Sequence, residues 1–192
     1  MPEIRAFIAI ELPQEVQTSL AEIIKQFSSH GIRCVRWVAP DNIHLTLQFL
    51  GEVPLATLTA LKIALQSVAG SQEPFVFNIR GIGAFPNIRH PRVIWAGLQA
   101  PANLMTLQTL TSRTIQQTGI QVEDRTFSPH LTLGRVKRDA APFDLHTLSS
   151  TLEKLTAGDL GIVRVQSITL FRSDLSSQGP TYTALGHFPL RG

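Results

Sequence analysis

Cysteine occurs once in the 192 residues, at Cys34. One thiol excludes an internal disulfide and a four-cysteine zinc site. Its setting near a strand start reads as a small structural residue in a reducing compartment, not a catalytic thiol. Charge is sparse too: charged residues make up 16% of the chain and the net charge is +3. No Lys/Arg run marks a basic tail, so composition alone does not establish nucleic-acid binding, although the mild basic excess suits an anionic partner. No apolar run approaches the roughly 18 residues that a membrane span needs. The first ten residues lack the basic segment and long apolar stretch of a signal peptide. These absences lead us to expect a soluble, cytoplasmic protein. The stretch 81–86 (GIGAFP) lacks the spacing of a P-loop or a dinucleotide-binding turn. It reads as a loop.

What is present is enough apolar material for a core, 43% of the chain, in one large domain or two intimate lobes. Residues 5–11 (RAFIAIE) read as a buried strand. Val16, Leu20, Ile23, Ile24 and Phe27 mark one face of a helix that Pro13 opens and Gly31 stops. Strands are expected at 35–38 and 43–50, the second ended by Gly51. Leu55, Leu58, Leu61, Leu65 and Val68 mark a second helix opened by Pro54. Strands follow at 75–79 and 91–98. A third helix, from Pro101, carries Leu104, Thr111 and Ile115, with Leu107 or Gln108 between them, and closes at Gly119. The pattern then gives an extended or loop segment over 120–128 and a strand at 130–136. A fourth helix carries Leu145, Leu148, Leu152 and Leu155. One long strand over 162–171, a turn-rich loop over 173–180 and a last strand over 181–190 complete the chain. This order predicts an α+β fold of two pseudo-symmetric lobes from a duplicated unit. Mostly antiparallel sheets would line a central cleft, with helices outside, in one domain spanning 1–192.

The chemistry-bearing feature is a tetrapeptide that occurs twice, His44-Leu45-Thr46-Leu47 and His130-Leu131-Thr132-Leu133. Side chains alternate along a strand. Each copy therefore presents an imidazole and a hydroxyl on one face and two leucines on the other. A lone copy is weak evidence. Two copies are not, because nothing in packing requires the same polar pair twice, and burying such groups unpaired costs about 1–3 kcal/mol each. The other histidines, His30, His90, His146 and His187, read as structural or solvated. Zinc needs three or four converging ligands, and no Asp, Glu or Cys stands at strand spacing beside either motif, so no metal site is expected.

The doubled motif resembles that of the 2H phosphoesterase superfamily. The segments 5–13 (RAFIAIELP), 36–53 (RWVAPDNIHLTLQFLGEV), 91–97 (PRVIWAG), 127–137 (FSPHLTLGRVK) and 170–182 (LFRSDLSSQGPTY) resemble its RNA 2′,3′-cyclic phosphodiesterase branch, also called 2′-5′ RNA ligase. The resemblance implies hydrolysis of a ribose 2′,3′-cyclic phosphate to the 2′-phosphomonoester, without metal or other cofactor. The partner would be RNA with a cyclic phosphate end, or a cyclic nucleotide, and the protein a monomer. Histidine titrates near neutrality and suits both acid and base roles. His130 is taken as the proton acceptor that activates water and His44 as the proton donor to the leaving 3′ oxygen. Pseudo-symmetry leaves the reverse assignment open. Thr46 and Thr132 would bind the non-bridging oxygens. The resemblance also implies a phosphate-facing Arg135, but strict alternation puts residue 135 on the opposite face from His130 and Thr132 unless the strand bulges or ends there. Phe127 and Phe7 are candidate base-stacking rings, with core packing the stronger reading for Phe7.

Other readings share the site. Relatives of the superfamily act on 2′-5′ oligonucleotides or on ADP-ribose cyclic phosphate, and the reverse reaction would join RNA ends through a 2′-5′ bond. A non-catalytic RNA-end binder would not need two titratable groups.

Overall fold

A computed structural model describes residues 2–122, 126–155, 157–176 and 179–192. Among the described residues, nine strands form two antiparallel sheets, and four helices cover them. The strands are β1 (Glu3–Ile10), β2 (Val35–Trp37), β3 (Leu45–Pro54), β4 (Phe75–Phe85), β5 (Val93–Gln99), β6 (Leu131–Val136), β7 (Asp159–Val165), β8 (Ser167–Ser176) and β9 (Gly179–Pro189). The helices are α1 (Gln14–Ser29), α2 (Leu58–Gly70), α3 (Ala102–Gln117) and α4 (Pro142–Lys154). One sheet has the order β3-β1-β8-β9 and the other β2-β6-β5-β4-β7. The first carries Thr46, the second Thr132. Among the described residues, no helix is long and apolar enough to cross a membrane.

The helices follow the apolar stripes. Val16, Leu20, Ile23 and Phe27 of α1 are buried, as are Leu61, Leu65 and Val68 of α2 and Leu104, Leu107, Thr111 and Ile115 of α3. Leu107, not Gln108, is the inward residue of α3. Together with the leucines behind each motif, the apolar side chains among these belong to one continuous core.

Four boundaries differ from the sequence expectation. Strand β3 runs through Gly51 to Pro54, because Gly51 adopts φ +66° at an irregularity in the pairing with β1 and the strand resumes beyond it. The stretch 81–85 is strand, not loop. Gly83 pairs with Trp95, and a Cβ there would lie 2.3 Å from the indole ring, so the glycine is needed for the ring to lie flat on the sheet. The single strand expected over 162–171 is two strands in different sheets, β7 and β8, separated at Gln166. Finally, the segment 173–180 is not a loop throughout, since β8 reaches Ser176 and β9 begins at Gly179.

Candidate active site

Both motif histidines stand one residue before their strands, which begin at Leu45 and Leu131. Each is fixed by the same device. His44 Nδ1 lies 2.9 Å from the carbonyl oxygen of Asn42, and His130 Nδ1 lies 2.7 Å from that of Ser128. A carbonyl oxygen only accepts, so Nδ1 carries the proton in both rings. Each Nε2 is thereby left with a lone pair when the ring is neutral and a proton to donate when it is charged.

Registers show which residues share the faces of these histidines. In the first sheet Ala9 pairs with Thr46 on one side and Thr169 on the other, and Phe7 pairs with Phe49 and Phe171. Ala9 and Phe7 lie two apart on β1, so Thr46 and Phe49 lie on one face although they are three residues apart. The β3 pairing skips Leu47, and that bulge resets the phase. His44 stacks on Phe7, with centroids 4.7 Å apart and planes at 23°, and Tyr182 meets His44 edge-on at 5.2 Å. All these groups therefore share the face of Thr46.

The second sheet repeats the device. Trp95 pairs with Thr132 and Val93 with Arg135, with the shift between them skipping Leu133. Val93 and Trp95 lie on one face of β5, so Thr132 and Arg135 lie on one face of β6. The bulge that strict alternation required for Arg135 is present. Gly134 sits within it, and a Cβ there would meet Val35 at 2.6 Å and Trp37 at 2.8 Å. His130 meets the ring of Phe85 edge-on at 4.9 Å. Arg135 also bears on the other sheet: its charge, with that of Arg5, draws down a Tyr182 phenol that burial otherwise pushes up. A residue of the second sheet thus acts on a ring that touches His44.

The two histidines are not equivalent. His44 is enclosed by Phe7, Tyr182 and, at 6.3 Å, Phe171. This burial lowers its pKa to about 4, against the opposing effects of the Asn42 carbonyl and the Glu11 carboxylate. A histidine whose folded pKa lies below its ordinary 6.5 binds fewer protons folded than unfolded between these values. Its contribution to stability is intact above about pH 6.5 and is lost as the pH falls toward 4. Thermal or urea unfolding of wild type and His44→Ala at pH 7 and pH 4.5 should show an excess acid loss in wild type of about 2–3 kcal/mol. Equal pH slopes would count against a buried neutral His44.

Thr46 and Thr132 are partly exposed, and among the described residues neither hydroxyl has a protein hydrogen-bond partner. Several neighbours were not evident from sequence. Thr169 is buried and donates to Glu11 Oε2 at 2.7 Å, and its hydroxyl lies 3.0 Å from His187 Nδ1. His187 and Glu11 are 3.2 Å apart. Because Thr169 pairs with Ala9, this polar group lies on the rung of Thr46. Tyr182 and Phe49 were also missed, although Tyr182 ends one of the family-like segments. Phe49, 53% exposed, is an open ring 6.1 Å from Phe7, the ring on which His44 stacks. Phe7 cannot stack a base: it is 3% exposed, with His44 and Phe171 stacked on it at 4.7 and 5.2 Å. Phe127 is half-buried and packs against the core. The Cys34 thiol is buried, and burial pushes its pKa up, so it is suited to packing and not to nucleophilic attack. Among the described residues, no three His, Cys, Asp or Glu side chains are grouped to hold a metal ion.

Two sheets that each present an Nδ1-anchored histidine and a threonine hydroxyl without a protein partner fit a phosphoesterase of the two-histidine kind. A family model described as LigT-like phosphoesterase matches residues 10–95 and again 98–182, so that each matched stretch holds one motif. The chain belongs to that family. It is 34% identical to the RNA 2′,3′-cyclic phosphodiesterase of Methanothermobacter thermautotrophicus, over 98% of this chain and 100% of the relative. It is likewise 34% identical to that of Aquifex aeolicus, over the full length of both. Among solved structures, TT0787 of Thermus thermophilus superposes with a TM-score of 0.81 at 32% identity, covering 98% of each chain. Escherichia coli LigT complexed with 3′-AMP superposes with a TM-score of 0.77 at 28% identity, covering 100% of each.

Proposed function

We propose that the 192 residues act as one catalytic unit that hydrolyses the 2′,3′-cyclic phosphate end of RNA to a 2′-phosphomonoester. The observation that carries this reading is the repeated device, a histidine locked through Nδ1 to a carbonyl two residues back beside an unpartnered threonine hydroxyl. The names of the full-length relatives supply the substrate class.

In this mechanism the phosphorus lies between the two rings. His130, the more open histidine, takes a proton from a solvent water that attacks in line. His44, on the opposite side, protonates the departing 3′ oxygen. Enclosure among aromatic rings makes the imidazolium of His44 costly to hold, hence a strong acid once formed. The negative charge of the bound phosphate favours the protonated form, and the carboxylate of Glu11 acts in the same direction. Substrate binding thus draws onto His44, from solvent, the proton that the 3′ oxygen receives, and His130 returns to solvent the proton it takes from water, which restores the balance over the cycle. Thr46 and Thr132 donate to the non-bridging oxygens as charge builds on them, and Arg135 offsets that charge from the face of Thr132. Phe127 contributes by positioning the loop before His130, since its ring is committed to the core. With a 5′ hydroxyl in place of water as the attacking group, the same residues would open the cyclic phosphate to a 2′-5′ bond, the 3′ oxygen leaving as before, without a nucleotide cofactor. The protein is proposed to work as a cytoplasmic monomer.

Incubation with RNA ending in a 2′,3′-cyclic phosphate, in excess chelator, should give the 2′-phosphomonoester, identified by phosphorus NMR. Faster turnover of 2′-5′ oligonucleotides or ADP-ribose cyclic phosphate would reassign the substrate. Activity lost in chelator and restored by zinc would overturn the metal-independent mechanism.

A further inference from the structure

Four residues form one rung across the second sheet: Arg36, Arg135, Val93 and Phe85 are successive cross-strand partners on β2, β6, β5 and β4. Partners directly opposite share a face, and the ring of Phe85 touches His130, so the rung lies on the face of His130 and Thr132. Its first two members are both arginines, and both are exposed. Like charges directly opposite destabilise a sheet. Among the described residues the side-chain ion pairs are Arg172–Asp174 and His187–Glu11, so no carboxylate there compensates this pair.

The positive strip continues past the rung. The Arg92 N–H donates to the Phe85 carbonyl at 2.7 Å, and the Arg92 carbonyl accepts from Val136 N–H at 2.9 Å. Arg92 therefore sits where the ends of β4 and β6 meet. From there a cavity of about 460 Å³ opens between the segment 89–92 and α4, walled by Arg89, His90, Arg92, His146, Ser149 and Glu153. A second cavity of about 460 Å³ shares Arg89 and Glu153 with it and reaches Trp95 and Gly83, the rung of Thr132. The two adjoin at Arg89 and Glu153 as one groove, which Trp95 and the Arg92 backbone place beside the rungs of Thr132 and Arg135. Its ionic lining is two arginines against one glutamate, and Trp95 gives it an aromatic wall.

We propose that this groove is a track for the RNA chain on the 5′ side of the cyclic end, with Arg36, Arg92 and Arg89 taking successive phosphodiesters and Trp95 taking a base. The inference rests on the RNA-end reading above and sharpens it: the preferred substrate is an oligonucleotide, not a cyclic mononucleotide. Backbone charge supplies most of the affinity of a single strand, and stacking on aromatic rings adds sequence-tolerant binding.

The test compares wild type with Arg89→Gln/Arg92→Gln on a hexaribonucleotide ending in a 2′,3′-cyclic phosphate and on a 2′,3′-cyclic mononucleotide. The double variant should lose about tenfold in kcat/KM on the hexamer and stay within about twofold on the mononucleotide. Its log–log salt slope for binding the 2′-phosphate hexamer, read by fluorescence anisotropy, should be shallower by about 1.4, the value for two contacts to single-stranded nucleic acid. Arg89→Lys/Arg92→Lys should recover most of the loss, which separates charge from misfolding. Equal losses on both substrates, or none on the hexamer, would overturn the track. If wild type turns over neither substrate, the proposed reaction fails but the track is still decided by anisotropy. Hexamer binding that weakens in the glutamine variant supports it, and binding unchanged by the substitutions refutes it.

Discussion

His44→Ala and His130→Ala should each lower kcat on a 2′,3′-cyclic phosphate RNA end by about 10²–10⁴-fold, the range for loss of a positioned acid or base. The double variant should be little worse than the poorer single one, because groups that act in one step do not contribute additively. The two single losses should differ in stability. His44 is stacked within aromatic rings, so its removal leaves a gap beside Phe7 and Tyr182. His130, before β6, has one ring neighbour in Phe85, so His130→Ala should unfold close to the wild-type temperature. Steady-state kinetics with thermal melts on the same preparations check both expectations. Full activity in either variant would remove that histidine from the mechanism.

The second large effect is on the phosphate oxygens. Thr46→Val and Thr132→Val keep the β-branched shape that suits a strand and delete only the hydroxyl. Neither hydroxyl is engaged within the described protein, so stability should change little. Removal of one donor to a developing oxyanion typically costs about 10²–10³-fold in kcat, and about 10²-fold is expected for each threonine. The loss should fall on kcat more than on KM, because the hydrogen bonds strengthen as charge accumulates. A change confined to KM would make the threonines ground-state binders only.

Much of this site was legible in the chain because its unit is local. A tetrapeptide with two-residue periodicity declares its own face, and its repetition carried the functional reading before any fold was known. Helices were legible for the same reason, as with Leu104, Thr111 and Ile115 of α3, while the choice between Leu107 and Gln108 needed the structure. What escaped was non-local. The first sheet is assembled from both ends of the chain, with β1 between β3 and β8, and no local pattern pairs residue 9 with residue 169. The division of 162–171 did leave a trace. Val163 and Val165 alternate, Ile168 and Leu170 alternate, and the odd step between Val165 and Ile168 marks the change of sheet at Gln166. The bulges at Leu47 and Leu133 left none, since leucine fits either phase. They put Phe49 on the face of Thr46 and Arg135 on that of Thr132, which strict alternation without a bulge does not give. Glu11, Thr169 and His187 are brought together by strand pairing between distant parts of the chain, with Glu11 and Thr169 158 residues apart. Tyr182 reaches His44 in the same way, from the last strand.

The central claim is that His44 protonates the 3′ leaving oxygen while His130 activates water. The most direct measurement uses an RNA end in which the bridging 3′ oxygen of the cyclic phosphate is replaced by sulfur. A thiolate departs without a proton, so it no longer needs an acid. Relative to wild type on the same substrate, His44→Ala should recover most of its lost rate with sulfur in place, and His130→Ala should remain slow. Recovery in His130→Ala alone, or in neither variant, would contradict the assignment.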